Sequence, residues 1–277
     1  MNLRMRCSIA LLALSTLLLG ACASTNAPTL SKERIAEILA SPDRRAADRT
    51  NDIRRKPHDM LAFIGLWPGM MALDLSAGGG YTTELVARSI GPSGRVYGQN
   101  RPRDPNSPSP KPAAVEGAAA PAAPTPAGPP TLAVSVAERA KNPAASNIVP
   151  VVRRFEDPVP PEVAAGGLDL VTLMFNYHDL GWMGVDRAQM NKAVFAALKP
   201  GGIYVIADHS GRAGTGISES GTLHRVEEAF LRKEVEAAGF RLAEEGNFLR
   251  NPGDPRDKNT PDPPQPKDEF VLKFVKP

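Results

Sequence analysis

One stretch constrains this 277-residue chain more than any other: MMALDLSAGGGYTTELVARSI, residues 70–90. A short apolar run ending near Asp74 reads as a strand, the glycines behind it as a tight turn, and the residues from Tyr81 as an amphipathic helix. A strand that passes through such a turn directly into a helix turns backbone amides toward whatever anionic group lies above them. Gly78 and Gly80 let a ligand approach that backbone closely.

The remaining chain continues the alternation. Helical spacing begins after Ser31 with Ile35, Ile38 and Leu39, and Pro57 opens a second apolar helix carrying Met60, Leu61, Phe63 and Ile64. The charged run between them, Arg44–Arg55, reads most simply as a solvated face, and His58 beside it as a surface residue. Trp67-Pro68-Gly69 turns the chain. Further strands are expected at 95–99, 148–154, 168–175, 203–208, 241–248 and 269–275, with helices at 132–141, 186–198 and 223–238. Strands alternating with helices predict a doubly wound α/β domain, a seven-stranded, mostly parallel sheet with helices on both faces. The last two strands have only a Pro-rich loop, 251–268, between them, so they should form an antiparallel pair at one edge.

Composition separates this domain from its attachments. Of 28 prolines, ten lie in residues 101–130 alongside eight alanines, which marks an insertion unable to form a packed element. The formal charge is +3, and Arg4 and Arg6 contribute two of that, so the body offers no basic field for nucleic acid. Both cysteines, Cys7 and Cys22, fall in the first 22 residues, so the body has no thiol chemistry. The 13-residue apolar run from Cys7 to Leu19 would span only about 20 Å as a helix, which suits a signal peptide better than a membrane span. Its end, Leu19-Gly20-Ala21-Cys22, resembles the bacterial lipobox. That resemblance implies cleavage after residue 21, acylation of Cys22, and a chain anchored on the periplasmic side, with Ala23 pointing to the outer membrane. The organisation expected is a signal at 1–21, a lipidated helical extension at 22–66, and a catalytic-type domain at 67–277 carrying the insertion.

The order of the motifs carries a second resemblance. LAFIGLWPGMMALDLSAGGGYTTELVARSIGPSGRVYG, FNYHDL, DHS followed by GTG, and LHRVEEAFLRKEVEAAGF together resemble the class I, Rossmann-like methyltransferases that use S-adenosylmethionine. Among these they are similar to a group of bacterial predicted methyltransferases with no assigned substrate. The resemblance implies that Gly78 and Gly80 face the methionine part of the cofactor and that Asp74 organises the loop and its amino group. Ser76 stands where the pattern has its first glycine. Asn100 falls where an acid would grip the ribose, and Asp157 lies just beyond the position of an acid near the adenine. Asn176 closes the fourth strand. His178 is the candidate base, Asp179 its orienting partner, and Tyr177 a contact for the substrate, which the resemblance implies to be a small molecule.

His209 and His224 could reach the same cleft. No ligand spacing along the chain joins the histidines to Asp208, so no metal is expected. Ser76, Asn100 and the export signal together keep open a second reading, a non-catalytic module that binds another ligand in the same cleft. The leader makes its own testable statement. Intact-mass spectrometry of the membrane-extracted protein should find a chain beginning at an acylated Cys22, and Cys22→Ala should abolish that species.

Overall fold

A computed structural model describes residues 29–102, 135–259 and 265–277. The signal expected at 1–21, Cys22, most of the expected 101–130 insertion and the start of the helix expected at 132–141 lie outside the described residues. Three helices come first: α1 (Lys32–Ala40), α2 (Ala46–Arg55) and α3 (Pro57–Ile64). Ser31 caps α1 by accepting a hydrogen bond from the Arg34 amide at 3.2 Å, and Pro57 starts α3, where its missing N–H costs nothing. The alternation then runs β1 (Met71–Leu75), α4 (Tyr81–Ile90), β2 (Arg95–Asn100), α5 (Val136–Arg139), β3 (Ile148–Val152), β4 (Leu168–Met174), α6 (Tyr177–Trp182), α7 (Arg187–Ala197) and β5 (Leu198–His209). It closes with α8 (Ser220–Leu223), α9 (Glu228–Ala237), β6 (Arg241–Gly246) and β7 (Glu269–Val275). The helix expected over 223–238 begins only at Glu228, because the short α8 ends at Leu223, His224 takes a left-handed φ of 51° and the Arg225 side chain turns into the core.

The sheet has seven strands in the order β3-β2-β1-β4-β5-β7-β6. The first five are parallel to one another, while β7 runs antiparallel between β5 and β6. Alternate strand residues feed two apolar layers. Leu73, Leu173, Tyr204 and Phe274 pack with Met190, Val194, Leu231 and Val235 of α7 and α9. Ala72, Val205 and Val271 pack with Leu85 and Val86 of α4 and with Ile35, Ile38, Leu61 and Ile64 of the first helices. The amino-terminal helices therefore share the sheet's own core, and the order of strands reverses between β1 and β4, where an open sheet leaves a crevice. Among the described residues, no helix is long and apolar enough to cross a membrane.

The charged run over 44–55 is only in part a solvated face: Arg45 and Arg49 are exposed, while other charged members turn inward. Arg44 is buried and makes a bidentate pair with Asp52 at 2.7 and 2.8 Å, and Asp48, also buried, grips the Arg139 guanidinium with both oxygens, at 2.7 and 2.8 Å. Arg139 also meets Glu84 of α4 at 2.5 Å and donates from Nε to the Gly79 carbonyl at 2.5 Å. One side chain after the insertion thus ties α2, α4 and the glycine turn together. Removing one partner of a buried ion cluster leaves uncompensated charge, at a cost of about 3–5 kcal/mol. Arg139→Met should lower stability by that much, read as a fall in the urea midpoint with unchanged slope.

Candidate functional site

The turn after β1 is built by its neighbours more than by its glycines. Gln99 is fully buried; its Oε1 accepts from the Ser76 amide at 3.0 Å, and its Nε2 donates to the Arg153 carbonyl at 2.6 Å. Asn100 pairs both ends of its amide with Gly78, accepting from the nitrogen at 2.9 Å and donating to the oxygen at 3.1 Å. The residue expected to reach a ribose is therefore already occupied in shaping the loop. Ser76 lies at φ 59°, a region where an L side chain costs about 1–2 kcal/mol. Its hydroxyl offsets part of that strain by donating to Asn176 Oδ1 at 2.5 Å.

The two glycines serve different ends. Gly80, at φ 77°, opens α4, and a Cβ there would come within 2.9 Å of the Arg139 side chain, so its requirement comes from packing. Gly78, at φ 55°, would direct a Cβ into open space. That space is a cleft of about 540 Å³, bounded by Asp74, Ser76, Gly78 and Gly79 on one side and by Phe175 and Asn176 at the end of β4 on the other. Helix α2 forms its remaining wall with Asp48, Asn51, Arg54 and Arg55. Sequence reading missed this wall, because nothing in the spacing of its charges distinguishes a cleft from a solvated face. Arg55 packs its guanidinium over the rings of Phe175 and Tyr81, 4.6 and 5.2 Å from their centres. Burial and the charge of Arg54 lower its pKa to about 10, and its Nε has no hydrogen-bond partner.

At the carboxyl ends of β4 and β5 a polar chain continues from the glycine turn. Asn176 Nδ2 donates to Asp179 Oδ2 at 2.8 Å. Asp179 Oδ1 is approached by Trp182 Nε1 at 2.9 Å, His178 Nε2 at 3.2 Å and His224 Nδ1 at 3.0 Å. The other nitrogen of His178 meets the fully buried Asp208 at 2.5 Å, and Asp208 also accepts from the His178 and His209 amides. His209 stacks between Phe175 and His178, with Nδ1 3.0 Å from Glu269, which in turn pairs with Arg54 at 2.6 Å. Residues far apart in sequence thus converge, and His178, Asp179 and His224 bring ligand-type atoms within 4.8 Å of one another. The sequence expectation of no metal rested on spacing along a single element, and that spacing does not govern this cluster.

Three assigned roles change. Burial opposes charge on His178, yet Asp208 and Asp179 outweigh it and push its pKa up to about 10. With each ring nitrogen set against a carboxylate, His178 is a cationic strut and not a free base. Tyr177 points away from the cleft into the core, where its hydroxyl donates to Glu234 at 2.7 Å and accepts from Asn191 at 3.2 Å, so it cannot touch a ligand there. Asp157 is exposed, is paired with Arg153 four residues earlier, and is absent from the cleft's lining.

Asp74 lines the cleft, and both of its oxygens are held, by Thr83 at 2.6 Å and Thr172 at 2.8 Å. Burial dominates these bonds and raises its pKa from 3.8 to about 6. A carboxyl that binds its proton more tightly when folded stabilises the fold less as pH rises through the interval from about 4 to 6, and a shift of this size corresponds to about 3 kcal/mol. Asp74→Asn should therefore be more stable than the parent at pH 8 by about 1–3 kcal/mol, and the gain should vanish near pH 4, as read by urea denaturation at both values.

No family model matches the chain, and no curated protein matches it in sequence. Solved structures do match. A SAM-dependent methyltransferase from Aquifex aeolicus superposes over 90% of this chain and 100% of its own at 16% identity, with a TM-score of 0.50. A structure of the Haloferax volcanii Trm112 methyltransferase activator in complex with an assigned methyltransferase covers the same shares at 17% identity and 0.52. A protein from Galdieria sulphuraria, assigned as a sarcosine dimethylglycine methyltransferase, covers 90% of this chain and 92% of its own at 15% identity and 0.51. The seven-stranded, mostly parallel sheet of this chain is the Rossmann-like fold of the class I methyltransferases.

Proposed function

We propose that the cleft binds S-adenosylmethionine and that the chain transfers its methyl group to a small molecule. The observation that carries this reading is the open space above Gly78, at the strand-order reversal between β1 and β4, with a buried carboxyl, Asp74, at its base. The chain's groups suit a zwitterionic amino acid: Arg55, with an unpartnered Nε, would take the carboxylate, and Asp74 with Asn176 the amino group. The cofactor supplies an electrophilic methyl on a sulfonium; an acceptor lone pair forms the new bond as the carbon–sulfur bond breaks, and the sulfur leaves neutral.

The protein's contribution is positional. Ser76, Asn176, Asp179 and His178 form a continuous hydrogen-bonded chain that fixes the glycine turn relative to the end of β4, and such alignment of reacting groups can supply much of a displacement's rate. Asp179 is also a poor base: burial works against its charge, but His178, Trp182 and His224 hold its pKa well below the usual carboxylate range. The acceptor would therefore arrive with its lone pair available.

Export as a lipoprotein anchored through Cys22 on the periplasmic side of the outer membrane belongs to the same reading and rests on the leader residues alone. A second reading is favoured by one specific observation. Asn100, at the position of the ribose-gripping acid, spends both ends of its amide on Gly78, which suits a non-catalytic module holding a different ligand.

Calorimetric titration separates the two. Micromolar binding of S-adenosylmethionine is expected, and Gly78→Asp should abolish it while leaving the urea midpoint within about 1–2 kcal/mol of the parent, since aspartate tolerates positive φ and its Cβ meets no neighbour. An absence of binding at millimolar cofactor would exclude methyl transfer and leave the binding module.

A further inference from the structure

We infer that His178, Asp179 and His224 form a binding site for a divalent transition-metal ion of the zinc class. The site shares His178 and Asp179 with the positioning chain described above, but its metal binding can be measured without the cofactor. The ligand-type atoms come from α6 and from the residue that ends α8, and they are arranged around Asp179 Oδ1, with His178 Nε2 at 3.2 Å and His224 Nδ1 at 3.0 Å. Ligands held roughly 2.0–2.2 Å from zinc in a tetrahedron lie roughly 3.4 Å from one another, so both distances already have the right edge length. The third edge lies within 4.8 Å, so the His224 ring, whose side chain is partly exposed, must move toward His178 for all three edges to match.

The surroundings resemble the outer shell of a metal site. A ligating histidine needs its other nitrogen fixed so that the ring is aimed and the tautomer set; Asp208, fully buried, does this for His178 at 2.5 Å. A ligating carboxylate needs its orientation held, and Asp179 has Asn176 on one oxygen and Trp182 on the other. Without a metal, three donors crowd Asp179 Oδ1 while two carboxylates, Asp179 and Asp208, flank one imidazole. A dication among the three ligands would displace the proton from His178 Nε2, and any on His224 Nδ1, to solvent, bind the two ring-nitrogen lone pairs so freed and neutralise the carboxylates, while Trp182 would keep its bond. Two nitrogens and one oxygen complete three positions of a borderline ion, and the side chain of His224, 36% exposed, leaves the fourth open to water or substrate. Asn176 links this position directly to the cleft.

The test uses the full chain, freed of metal with a chelator and titrated with Zn²⁺ by calorimetry and with Co²⁺ by visible absorption. One ion per chain is expected, with the intense d–d bands of a low-symmetry Co²⁺ site. His224→Asn keeps a residue that tolerates φ 51°, and Asp179→Asn keeps the shape of its side chain; each should weaken binding roughly 100-fold or more and remove the bands. His58→Gln should leave affinity and spectrum unchanged. Both cysteines are common to all these proteins, so any binding they cause cancels in the comparison. No stoichiometric binding at submillimolar metal, or binding that persists in both His224→Asn and Asp179→Asn, overturns the site. Retention of S-adenosylmethionine binding in His224→Asn keeps this result distinct from the fate of the methyl-transfer reading.

Discussion

The Arg139 guanidinium is the interaction on which the cleft depends. It stands where three elements meet: α2 through Asp48, α4 through Glu84 and the glycine turn through the Gly79 carbonyl. Glu84 passes the connection to Arg88 and on to Asp43, so the charge network runs from the first helices to the loop that shapes the cleft. Such a cluster contributes little net stability compared with apolar packing, but leaving any member unpaired is costly, which makes it a device for holding one arrangement. Here the arrangement is α2 laid across the carboxyl ends of β1 and β4.

That placement sets the chemistry of the cleft. With α2 in position, Arg55 is stacked on Phe175 and Tyr81, and the cleft acquires cationic groups opposite the buried Asp74. Asp74 is itself costly, a carboxyl whose charge burial disfavours, and Ser76 and Phe175 both adopt left-handed backbone angles beside it. Strain and disfavoured charge gathered at one crevice are what a binding site requires and what a core would avoid. The hydrogen-bonded chain from Ser76 to Asp208 then couples this crevice to the histidine cluster, so ligand and metal chemistry would share one set of positioning bonds.

Much of the frame was legible in the sequence. Apolar periodicity located β1, α4 and the alternation of strands with helices, and the lack of a helix before the last strand pointed to its antiparallel pairing. Asp74, Gly78 and Asn176 line the cleft, and the turn and strand ends that carry them were legible because they are local. The roles of Asn100, Tyr177, Asp157 and His178 were not. Those of Asn100, Tyr177 and His178 depend on partners that only the fold supplies, the Gly78 peptide, Glu234 and Asp208, whereas Asp157 pairs locally with Arg153 and only the fold shows that it stands outside the cleft's lining. The charged run over 44–55 failed for the same reason, since a solvated arginine and one that walls a cleft have the same spacing.

The sequence by itself determined the βαβ alternation, the glycine turn and the edge pair, because these follow from periodicity and composition within about 10–20 residues. Only the tertiary structure decided what the polar residues do. Asp48 meets Arg139 across 91 positions, Ser76 meets Asn176 across 100, and Asp179 meets His224 across 45. The last two pairs arise when the strand order brings β1, β4 and β5 side by side, and the first when α2 packs against α5. Hydrogen bonds and charges act over a few ångströms, so their partners are set by that adjacency, which the pattern along the chain does not carry.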